Sequence, residues 1–405
     1  MSPQSRVLPE PVADYADERW YASVRAPAGR ARTLNPQAYR TPAFFEAERS
    51  QVFARSWVAV CHLEEVERPG TVVPVTVAGQ GLMIVRDRDK TLRAFHNVCR
   101  HRGARLVKEP CALKRFRCPY HSWTYGLDGA LLGTPLFEGS DVPADQRPMF
   151  DMGHVEDFDP ADHGLTPARV DSFGHLIFVC LDAHTPSLKE WLGDLPERLA
   201  GYRLDEMRVA GRRDYDVNAN WKLVAENFME YYHLPWVHPE LIKVSRLEDH
   251  RRFQGRGMYT GMCTQPITAD ERSGWSTLPP VAGLSADDAA SGRFIWIFPN
   301  AALAVLPNHV FTMFLEPTGV DRTVERTTIA LPGDSAPDGD AFAGLASFWD
   351  HVNGEDLAVI EEVQAGVANR AYTGGRLCYR FEEPLHRFQN MVADKMIGLD
   401  RVPSG

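Results

Sequence analysis

Four potential metal ligands, arranged as two short pairs, most constrain what this chain can fold into. Cys99 and His101 are separated by one residue, and Cys118 and His121 by two. Sixteen residues lie between the pairs. Because each pair offers a thiol and an imidazole, which are common metal ligands, the pattern predicts two loops that converge on one metal site.

Two kinds of metal centre use two Cys and two His. Structural zinc binds such a set in tetrahedral geometry, and a Rieske [2Fe–2S] cluster holds one iron by two Cys and the other by two His. The pattern favours the cluster, because each loop provides one Cys and one His. Zinc ribbons instead pair Cys with Cys, and zinc fingers close with two His on a helix. Zinc is the alternative interpretation.

A second group of candidate ligands lies in a segment whose apolar spacing predicts one amphipathic helix over 219–234. Pro235 is expected to end this helix after His233, so that His238 enters from the following turn and converges with His233. A solvated polar face is the alternative interpretation. The face opposite the apolar residues carries three titratable side chains, namely Glu226, Glu230 and His233.

Two His and one carboxylate form the facial triad of non-haem Fe(II) oxygenases, which requires an acidic residue further along the chain. A helical projection places Asp356 on an apolar stripe, and a buried carboxylate must be paired or metal-bound. Asp356 is therefore the predicted third ligand, with a buried salt bridge as the alternative. The stripe is formed by Ile360, Val363 and Val367. The other acidic candidates are Asp350 and three residues expected to point away from the stripe: Glu355, Glu361 and Glu362.

Composition limits the class of protein. The 405 residues suit two domains, and a formal net charge of −10 without a basic block argues against nucleic-acid binding. Seven sparse Cys do not indicate a disulfide scaffold. No apolar run approaches the ~18 residues of a membrane span, and the first residues lack the features of a signal peptide. We expect a cytoplasmic protein.

The order of strand-like and helical segments predicts an α+β fold. We expect an N-terminal arm and helix over 1–44, a β-rich cluster-binding domain over 45–180 and a catalytic domain over 181–405, in which helices flank an antiparallel sheet. The run at 170–182 is expected to be the last strand of the β-rich domain. Other predicted strands are TVVPVTVAG, GLMIVRDRDK, TLRAFHNV, RFIWIFPN, ALAVLP, HVFTMFLEP and residues 208–217, and other predicted helices cover residues 186–205 and 341–370. A polar loop is expected near 270–292.

Two motifs resemble one enzyme family. C-x-H…C-P-Y-H-S-W resembles the Rieske domain of ring-hydroxylating-type oxygenase α subunits, and N-W-K-x-x-x-E-N-F-x-E-x-Y-H-x-x-x-x-H resembles their catalytic motif. The resemblance covers about residues 45–390. It implies that His233 and His238 ligate a mononuclear Fe(II), and that Glu230 bridges this iron and the cluster of a neighbouring subunit. It implies four cluster ligands: Cys99, His101, Cys118 and His121. Asn227, one turn from Glu230, is a candidate supporting residue or an ordinary helical Asn.

The same resemblance implies a reaction and its partners. O2 is the implied co-substrate, NAD(P)H supplies electrons only indirectly through a flavin or iron–sulfur reductase, and the implied assembly is a homotrimer. The patterns E-N-F-M-E-Y-Y-H, V-N-G-E-D and Y-T-G-G-R-L-C-Y-R-F-E-E-P-L-H-R-F are similar to those of choline, glycine betaine, carnitine and stachydrine monooxygenases. This likeness implies hydroxylation of a quaternary or N-methylated amine, a small-molecule substrate.

Alternatives to this function are an aromatic-ring dioxygenase acting on an aromatic acid and a zinc-stabilised binding protein without catalysis. Phe294, Trp296 and Phe298 alternate along one strand. They are candidate walls of an aromatic cage for an ammonium group, and an ordinary core face is the alternative interpretation.

Overall fold

The computed structural model describes residues 14–137, 143, 145, 155–243, 245–265, 278–333 and 339–403. The predicted α+β fold is confirmed, with two large antiparallel sheets and helices packed around the second. Among the described residues, no helix is long and apolar enough to cross a membrane. Residues 1–13 of the expected arm, and residues 270–277 of the polar loop expected near 270–292, lie outside the described residues.

The described N-terminal residues form short helices that pack into the main core. Pro42 lies in the first turn of α3, where its missing N–H costs nothing, and the chain continues from α3 into a π-helical turn over Arg49–Phe53. Phe44 and Phe53 are buried. The three helices are α1 (Ala22–Arg25), α2 (Gln37–Arg40) and α3 (Pro42–Glu48).

The first large sheet contains the strands predicted around the Cys/His pairs. Its seven strands are β1 (Val58–His62), β2 (Thr71–Val77), β3 (Gln80–Arg86), β4 (Leu92–His96), β5 (Cys111–Ala112), β9 (Pro167–Phe173) and β10 (Leu176–Cys180). They are ordered β1-β10-β9-β4-β3-β2-β5. The single strand expected over 170–182 is wrong, because the chain reverses at Gly174, whose φ of +56° favours glycine. β9 and β10 therefore pair as a hairpin.

A small three-stranded sheet lies beside the Cys/His loops. It consists of β6 (Phe116–Arg117), β7 (Thr124–Tyr125) and β8 (Leu131–Gly133), paired in that order. A separate hydrophobic cluster surrounds these loops and includes Phe95, Phe116 and Trp123. The loops are thus fixed by their own small core.

The second large sheet forms the frame of the C-terminal half. Its strands are β11 (Met207–Val217), β12 (His250–Phe253), β13 (Tyr259–Thr264), β14 (Gly292–Ile297), β15 (Ala301–Val305), β16 (Val310–Gly319) and β17 (Arg322–Pro332). They are ordered β11-β17-β16-β15-β14-β13-β12, and every pairing is antiparallel. The main hydrophobic cluster includes buried residues of both large sheets, so the sheets share one core.

Helices of the C-terminal half pack mainly against this second sheet. The helix predicted over 186–205 is wrong in its length, because Gly193 adopts a φ of +58° and ends the first piece. The helices are α4 (Leu188–Leu192), α5 (Leu195–Arg198), α6 (Trp221–Phe228), α7 (Leu234–Val237), α8 (Ala286–Ala289), α9 (Gly339–Val367) and α10 (Tyr379–Met396). Short 3-10 turns cover Glu18–Tyr21, Leu63–Val66, Pro160–His163, Ala200–Tyr202, Leu204–Glu206, Leu241–Lys243 and Leu247–Asp249.

The single helix predicted over 219–234 is also wrong beyond Phe228, where α6 ends. Pro235 lies in the first turn of α7 instead of ending the preceding helix, a position that proline tolerates. The Glu230 carboxylate accepts hydrogen bonds from the backbone N–H groups of Tyr232 and His233. These bonds stabilise a turn between the two helices.

Candidate functional site

The two Cys/His loops share one backbone design. In each loop the N–H of the fourth residue after the Cys donates to the Cys carbonyl, Gly103 to Cys99 at 3.0 Å and Ser122 to Cys118 at 3.1 Å. Both donors have positive φ, +73° for Gly103 and +58° for Ser122. Glycine adopts this conformation at low cost, whereas Ser122 must be held in it by the loop. Two matched loops therefore present their ligands to the same place.

The structure brings the four predicted cluster ligands together. The rings of His101 and His121 have centroids 4.6 Å apart, and Cys99 and Cys118 are buried and interact with each other. The Nδ1 atoms of both His are buried and have no hydrogen-bond partner among the described residues. Since buried polar atoms are normally satisfied, two unpartnered imidazole nitrogens and two buried thiols on the paired loops fit the His2Cys2 ligand set of a [2Fe–2S] cluster.

Neighbouring side chains hold these ligands in place. Trp123 stacks on His101 with 4.8 Å between the ring centroids and 10° between the planes, and the Tyr125 hydroxyl lies 3.3 Å from Cys99 Sγ. Buried Asn97 accepts the N–H of Val107 at 3.0 Å and donates to its carbonyl at 2.6 Å. Sequence reasoning missed Asn97. Its polar side chain directly after β4, two residues before Cys99, was the available signal.

A second ligand group forms where α7 meets α9. Ligand atoms of His233, His238 and Asp356 all lie within 4.8 Å of one another, and this is the one such group of three found among the described residues. Asp356 Oδ1 lies 2.9 Å from His238 Nε2 and 3.5 Å from His233 Nε2. Both inner imidazole nitrogens therefore face one carboxylate, which fits the 2-His-1-carboxylate set of a non-haem iron.

The outer nitrogen of each imidazole meets a further carboxylate. His233 Nδ1 contacts Glu230 Oε1, and His238 Nδ1 lies 2.8 Å from Glu355 Oε2. Burial lowers the pKa of His238, but the bonds to Asp356 and Glu355 outweigh burial and leave this pKa raised. The field at the centre therefore favours positive charge, as a cation site requires.

The helical projection of α9 was wrong in two respects. Val363, assigned to the buried stripe, is 43% exposed, and Asp356 lies at the edge of the buried face. Glu355, expected to point away, contacts His238. The projection failed because polar side chains belong to the buried face, which is formed by Leu345, Trp349, Val352, Asn353, Ile360, Gln364 and Val367.

Two other acidic candidates on α9 form hydrogen bonds or ion pairs away from the His pair. Asp350 accepts a hydrogen bond from the Tyr215 hydroxyl and pairs with Arg213 at 2.9 Å. Glu361 accepts the N–H of Asn218 at 2.9 Å. These contacts direct both carboxylates away from the His pair, so Asp356 is the acid that faces both imidazoles.

Glu226 lies apart from the metal ligands, contrary to its predicted position on a shared polar face. It is buried and accepts hydrogen bonds from the Tyr39 hydroxyl at 2.8 Å and from Gln389 at 2.9 Å. Burial raises its pKa to about 7. The misplacement follows from the early end of α6, after which the chain no longer keeps helical phase.

A small cavity of about 70 Å³ opens beside the His pair. Asn227, Glu230 and Phe294 line it, but Trp296 and Phe298 are absent from its described wall. Those two predicted cage residues are core side chains: the Trp296 indole donates to the Pro299 carbonyl at 3.0 Å, and Phe298 packs near Trp191 and Phe388. Aromatic lining residues that the sequence reasoning missed are Phe228, Phe348 and Trp349.

Comparisons with known proteins agree with both metal centres. The family model described as Rieske [2Fe-2S] domain matches residues 56–144, and that described as ring hydroxylating alpha subunit (catalytic domain) matches residues 204–398. The glycine betaine monooxygenase oxygenase subunit of Chromohalobacter salexigens is 30% identical over 397 residues, 89% of this chain and 84% of that protein. The carnitine monooxygenase oxygenase subunit of Escherichia coli K12 is 28% identical over 382 residues, 92% of this chain and 91% of that protein.

Solved structures show the same architecture. The quaternary ammonium Rieske monooxygenase CntA in complex with L-carnitine superposes with a TM-score of 0.76 at 25% identity, over 94% of this chain and 99% of that chain. Naphthalene 1,2-dioxygenase with bound indole has a TM-score of 0.72 at 20% identity over 96% of each chain, which shows the fold alone. With its Rieske [2Fe–2S] domain and its non-haem iron catalytic domain, the chain belongs to the Rieske non-haem iron oxygenase family.

Proposed function

We propose that this oxygenase hydroxylates a small quaternary or N-methylated amine. The observation that carries the proposal is the cavity beside the His pair, which combines an aromatic wall with carboxylates. Phe228, Phe294 and Trp349 line it, aromatic rings attract an ammonium group, and Glu230 and Asp356 lie at the same cavity. The relatives named for glycine betaine and carnitine support the same substrate class.

The bound metals would supply O2 activation at the iron, held by His233, His238 and Asp356, and single electrons from the cluster. In the proposed reaction, O2 takes two electrons from NAD(P)H through a reductase and two protons. One oxygen atom enters a C–H bond of the substrate and the other leaves as water. If an N-methyl group of a quaternary amine is hydroxylated, its C–N bond then breaks with loss of a proton, giving formaldehyde and a tertiary amine.

Residues around the proposed iron ligands orient those ligands for this reaction. Glu230 and Glu355 hold the outer nitrogens of the two imidazoles, which fixes the ring orientations and leaves the inner nitrogens for the metal. The apolar side chains of the cavity exclude water from the reacting carbon. Asn227 lines the same cavity, and we propose that its amide supports the substrate by a hydrogen bond.

We further propose a homotrimeric ring in which the cluster of one subunit serves the iron of the next. Exposed aromatic residues flank both centres and support this arrangement: Tyr120, 56% exposed, adjoins His121, and Trp236, 71% exposed, follows His233. Two different patches on one chain suit a head-to-tail interface, which closes as a ring when the rotation between subunits permits. Glu230, which already contacts His233 Nδ1, would then also accept a hydrogen bond from a cluster His of the neighbour, across the interface.

The test is reductase-dependent O2 uptake with NADH across a panel of methylated amines and aromatic acids. The expected result is formaldehyde from an N-methyl group, or a monohydroxylated amine. Asp356→Asn should abolish turnover while the visible spectrum of the cluster remains, and Asp350→Asn on the same helix is the matched control that retains turnover. A cis-diol from an aromatic acid, with no product from any amine, would contradict the proposal and assign a ring dioxygenase.

A further inference from the structure

We propose that buried His309 is a positioning residue for the substrate, because it holds the indole of Trp349 in one orientation at the wall of the cavity beside the His pair. The inference rests on the assignment of this cavity as the substrate site, but not on whether the substrate is an amine. It follows from a chain of hydrogen bonds that runs from the cavity wall into the core.

The hydrogen bond from Trp349 determines which nitrogen of His309 carries the proton. Trp349 Nε1–H donates to His309 Nε2 at 2.9 Å. An indole nitrogen is a donor and never an acceptor, so His309 Nε2 must be unprotonated. His309 is fully buried, and burial lowers its pKa to about 3. The imidazole is therefore neutral, with its proton on Nδ1.

The remaining hydrogen bonds of the chain run in the same direction. His309 Nδ1–H donates to Asn308 Oδ1 at 2.7 Å, and Asn308 Nδ2 donates to the Leu278 carbonyl at 3.0 Å. Every polar side-chain atom in this chain has a partner, and buried networks that are fully satisfied are rigid. His309 therefore cannot turn away from Trp349 without losing its bond to Asn308.

The chain of hydrogen bonds is anchored in the turn between β15 and β16. Val305 pairs with Val310 where the two strands end, and the Leu306 N–H donates to the His309 carbonyl at 3.0 Å. Pro307 and Asn308, between them, are residue types that favour turns. His309 is thus fixed to the second large sheet, whereas its partner Trp349 belongs to α9.

Aromatic stacking holds the same indole. Phe311 on β16 stacks on Trp349 with 4.2 Å between the ring centroids and 10° between the planes. Trp349 lies seven residues before Asp356 on α9, so both side chains leave the same face of the helix, about two turns apart. Both line the cavity. The bond to His309 and the stack on Phe311 therefore fix this wall relative to the Asp356 carboxylate.

The other aromatic residues described in the cavity wall are positioned by packing alone. Phe228, Phe294 and Phe348 line the cavity, and a phenyl ring has no N–H or O–H group that a hydrogen bond could hold. A displacement of about 1 Å from the reactive geometry can cost about 100-fold in rate. Trp349 is therefore the described aromatic wall best suited to fix the position of the reacting carbon.

Near-ultraviolet circular dichroism tests the bond without any substrate. The spectrum of the parent minus that of Trp349→Phe gives the contribution of this indole, since the contribution of the cluster cancels. The same subtraction is then made between His309→Leu and the double variant His309→Leu/Trp349→Phe. We expect the indole contribution to lose most of its intensity in the second comparison, because a ring that turns freely averages its signal. An unchanged contribution would overturn the proposal.

Turnover tests the consequence for the substrate, with iron-loaded holoenzyme and a reductase. The probes are glycine betaine and tetramethylammonium, and benzoate replaces them if the parent oxidises neither. We expect His309→Leu and Trp349→Phe each to lower kcat by about tenfold, because a displaced substrate reacts more slowly, with a smaller change in KM and less product per O2 consumed. The double variant should be no worse than either single variant, since each removes the same bond.

Two further variants separate positioning from a general effect on the fold. Gln can accept from the indole N–H, so His309→Gln should retain most of the product per O2. His175 is also buried, and its Nε2 lies 3.1 Å from the Thr312 hydroxyl on β16, but it is absent from the described wall of the cavity. His175→Leu should therefore leave the product per O2 unchanged. Equal losses in His309→Leu and His175→Leu would overturn the proposal.

The proposal and the proposed function fail in different ways. Product from benzoate and from no methylated amine overturns the proposed function, while the circular dichroism comparison still decides whether His309 holds Trp349. Additive effects of His309→Leu and Trp349→Phe in an enzyme that oxidises methylated amines overturn the role of His309 and leave the proposed function standing.

Discussion

Each imidazole of the proposed iron site is held by a carboxylate on its outer nitrogen, and the two carboxylates come from different elements. Glu230 precedes His233 in the turn after α6, whereas Glu355 reaches His238 from α9. Such partners orient the ring and raise its basicity, and their loss typically costs 10–100-fold in metal affinity. Glu355 is therefore expected to control iron retention without binding iron itself.

Glu355→Gln should lower the affinity for iron by about 10-fold or more, because a neutral amide no longer attracts the imidazole proton. Iron content after dialysis against a graded chelator series measures this, with the visible absorption of the cluster as an internal reference. Glu362→Gln, an exposed position on the same helix, is the matched control. Equal iron retention in the two variants would show that Glu355 has no part in the site.

At the scale of single residues, the sequence predicted correctly which ligands meet where those ligands are close together in the chain. The Cys/His loops are local, so their spacing alone predicted that Cys99, His101, Cys118 and His121 meet, and the structure brings them together. The choice between Asp356 and Glu355 depended on the rotation of α9 against the sheet. That rotation is set by tertiary packing, including buried Asn353 and Gln364, which an apolar stripe does not reveal.

Helix α6 illustrates how one side chain moves an element boundary. Its apolar spacing extends past Phe228, but the Glu230 carboxylate binds two backbone N–H groups of the following turn and so competes with helical hydrogen bonding. Sequence periodicity does not register this competition. Glu226 lies within α6 and is buried, whereas Glu230 lies beyond the helix end and contacts His233.

Burial of Glu226 on this helix makes the free energy of unfolding of the protein depend on pH. Its pKa rises from an ordinary 4.5 to about 7, so below pH 4.5 the acid is protonated in both the folded and the unfolded chain. Between these values only the unfolded chain loses the proton, and stability falls as pH rises. Above pH 7 the free energy of unfolding is lower by the full effect of this pKa shift, about 3 kcal/mol.

Glu226→Gln should remove this dependence, because the amide oxygen still accepts from Tyr39 and Gln389 but carries no charge. We expect a higher unfolding temperature than the parent at pH 8 and little difference at pH 4.5. Thermal unfolding across this range measures the effect. The exposed variant Glu197→Gln should follow the parent, and a pH-independent difference for Glu226→Gln would contradict the assigned role of burial.

At the scale of the whole molecule, the two metal centres belong to two halves of one chain that share a core. The domain order and the α+β class followed from the sequence because strand-like runs precede helical ones. The sequence did not predict the arrangement of the subunits on physical grounds, because an interface depends on which side chains remain exposed on the folded protein. Tyr120, Tyr232 and Trp236 are such residues, and they adjoin His121 and His233.

The central claim is that one catalytic unit is built from two subunits, with Glu230 at their junction. Subunits carrying Cys118→Ser, which lack the cluster, and subunits carrying Asp356→Ala, which lack the iron, should each be inactive alone. If the protein is the proposed trimer, co-expression with two different tags gives mixed trimers that can be purified and assayed for substrate-dependent O2 uptake.

In a mixed head-to-tail trimer, one junction of three joins an intact cluster to an intact iron site, so roughly one third of the parental activity should return. Adding Glu230→Gln to the Cys118→Ser subunit should abolish this recovery, whereas the same change in the Asp356→Ala subunit, whose iron site is already lost, should not. Mixed trimers as inactive as either parent would show that electrons stay within one subunit, and would contradict the account.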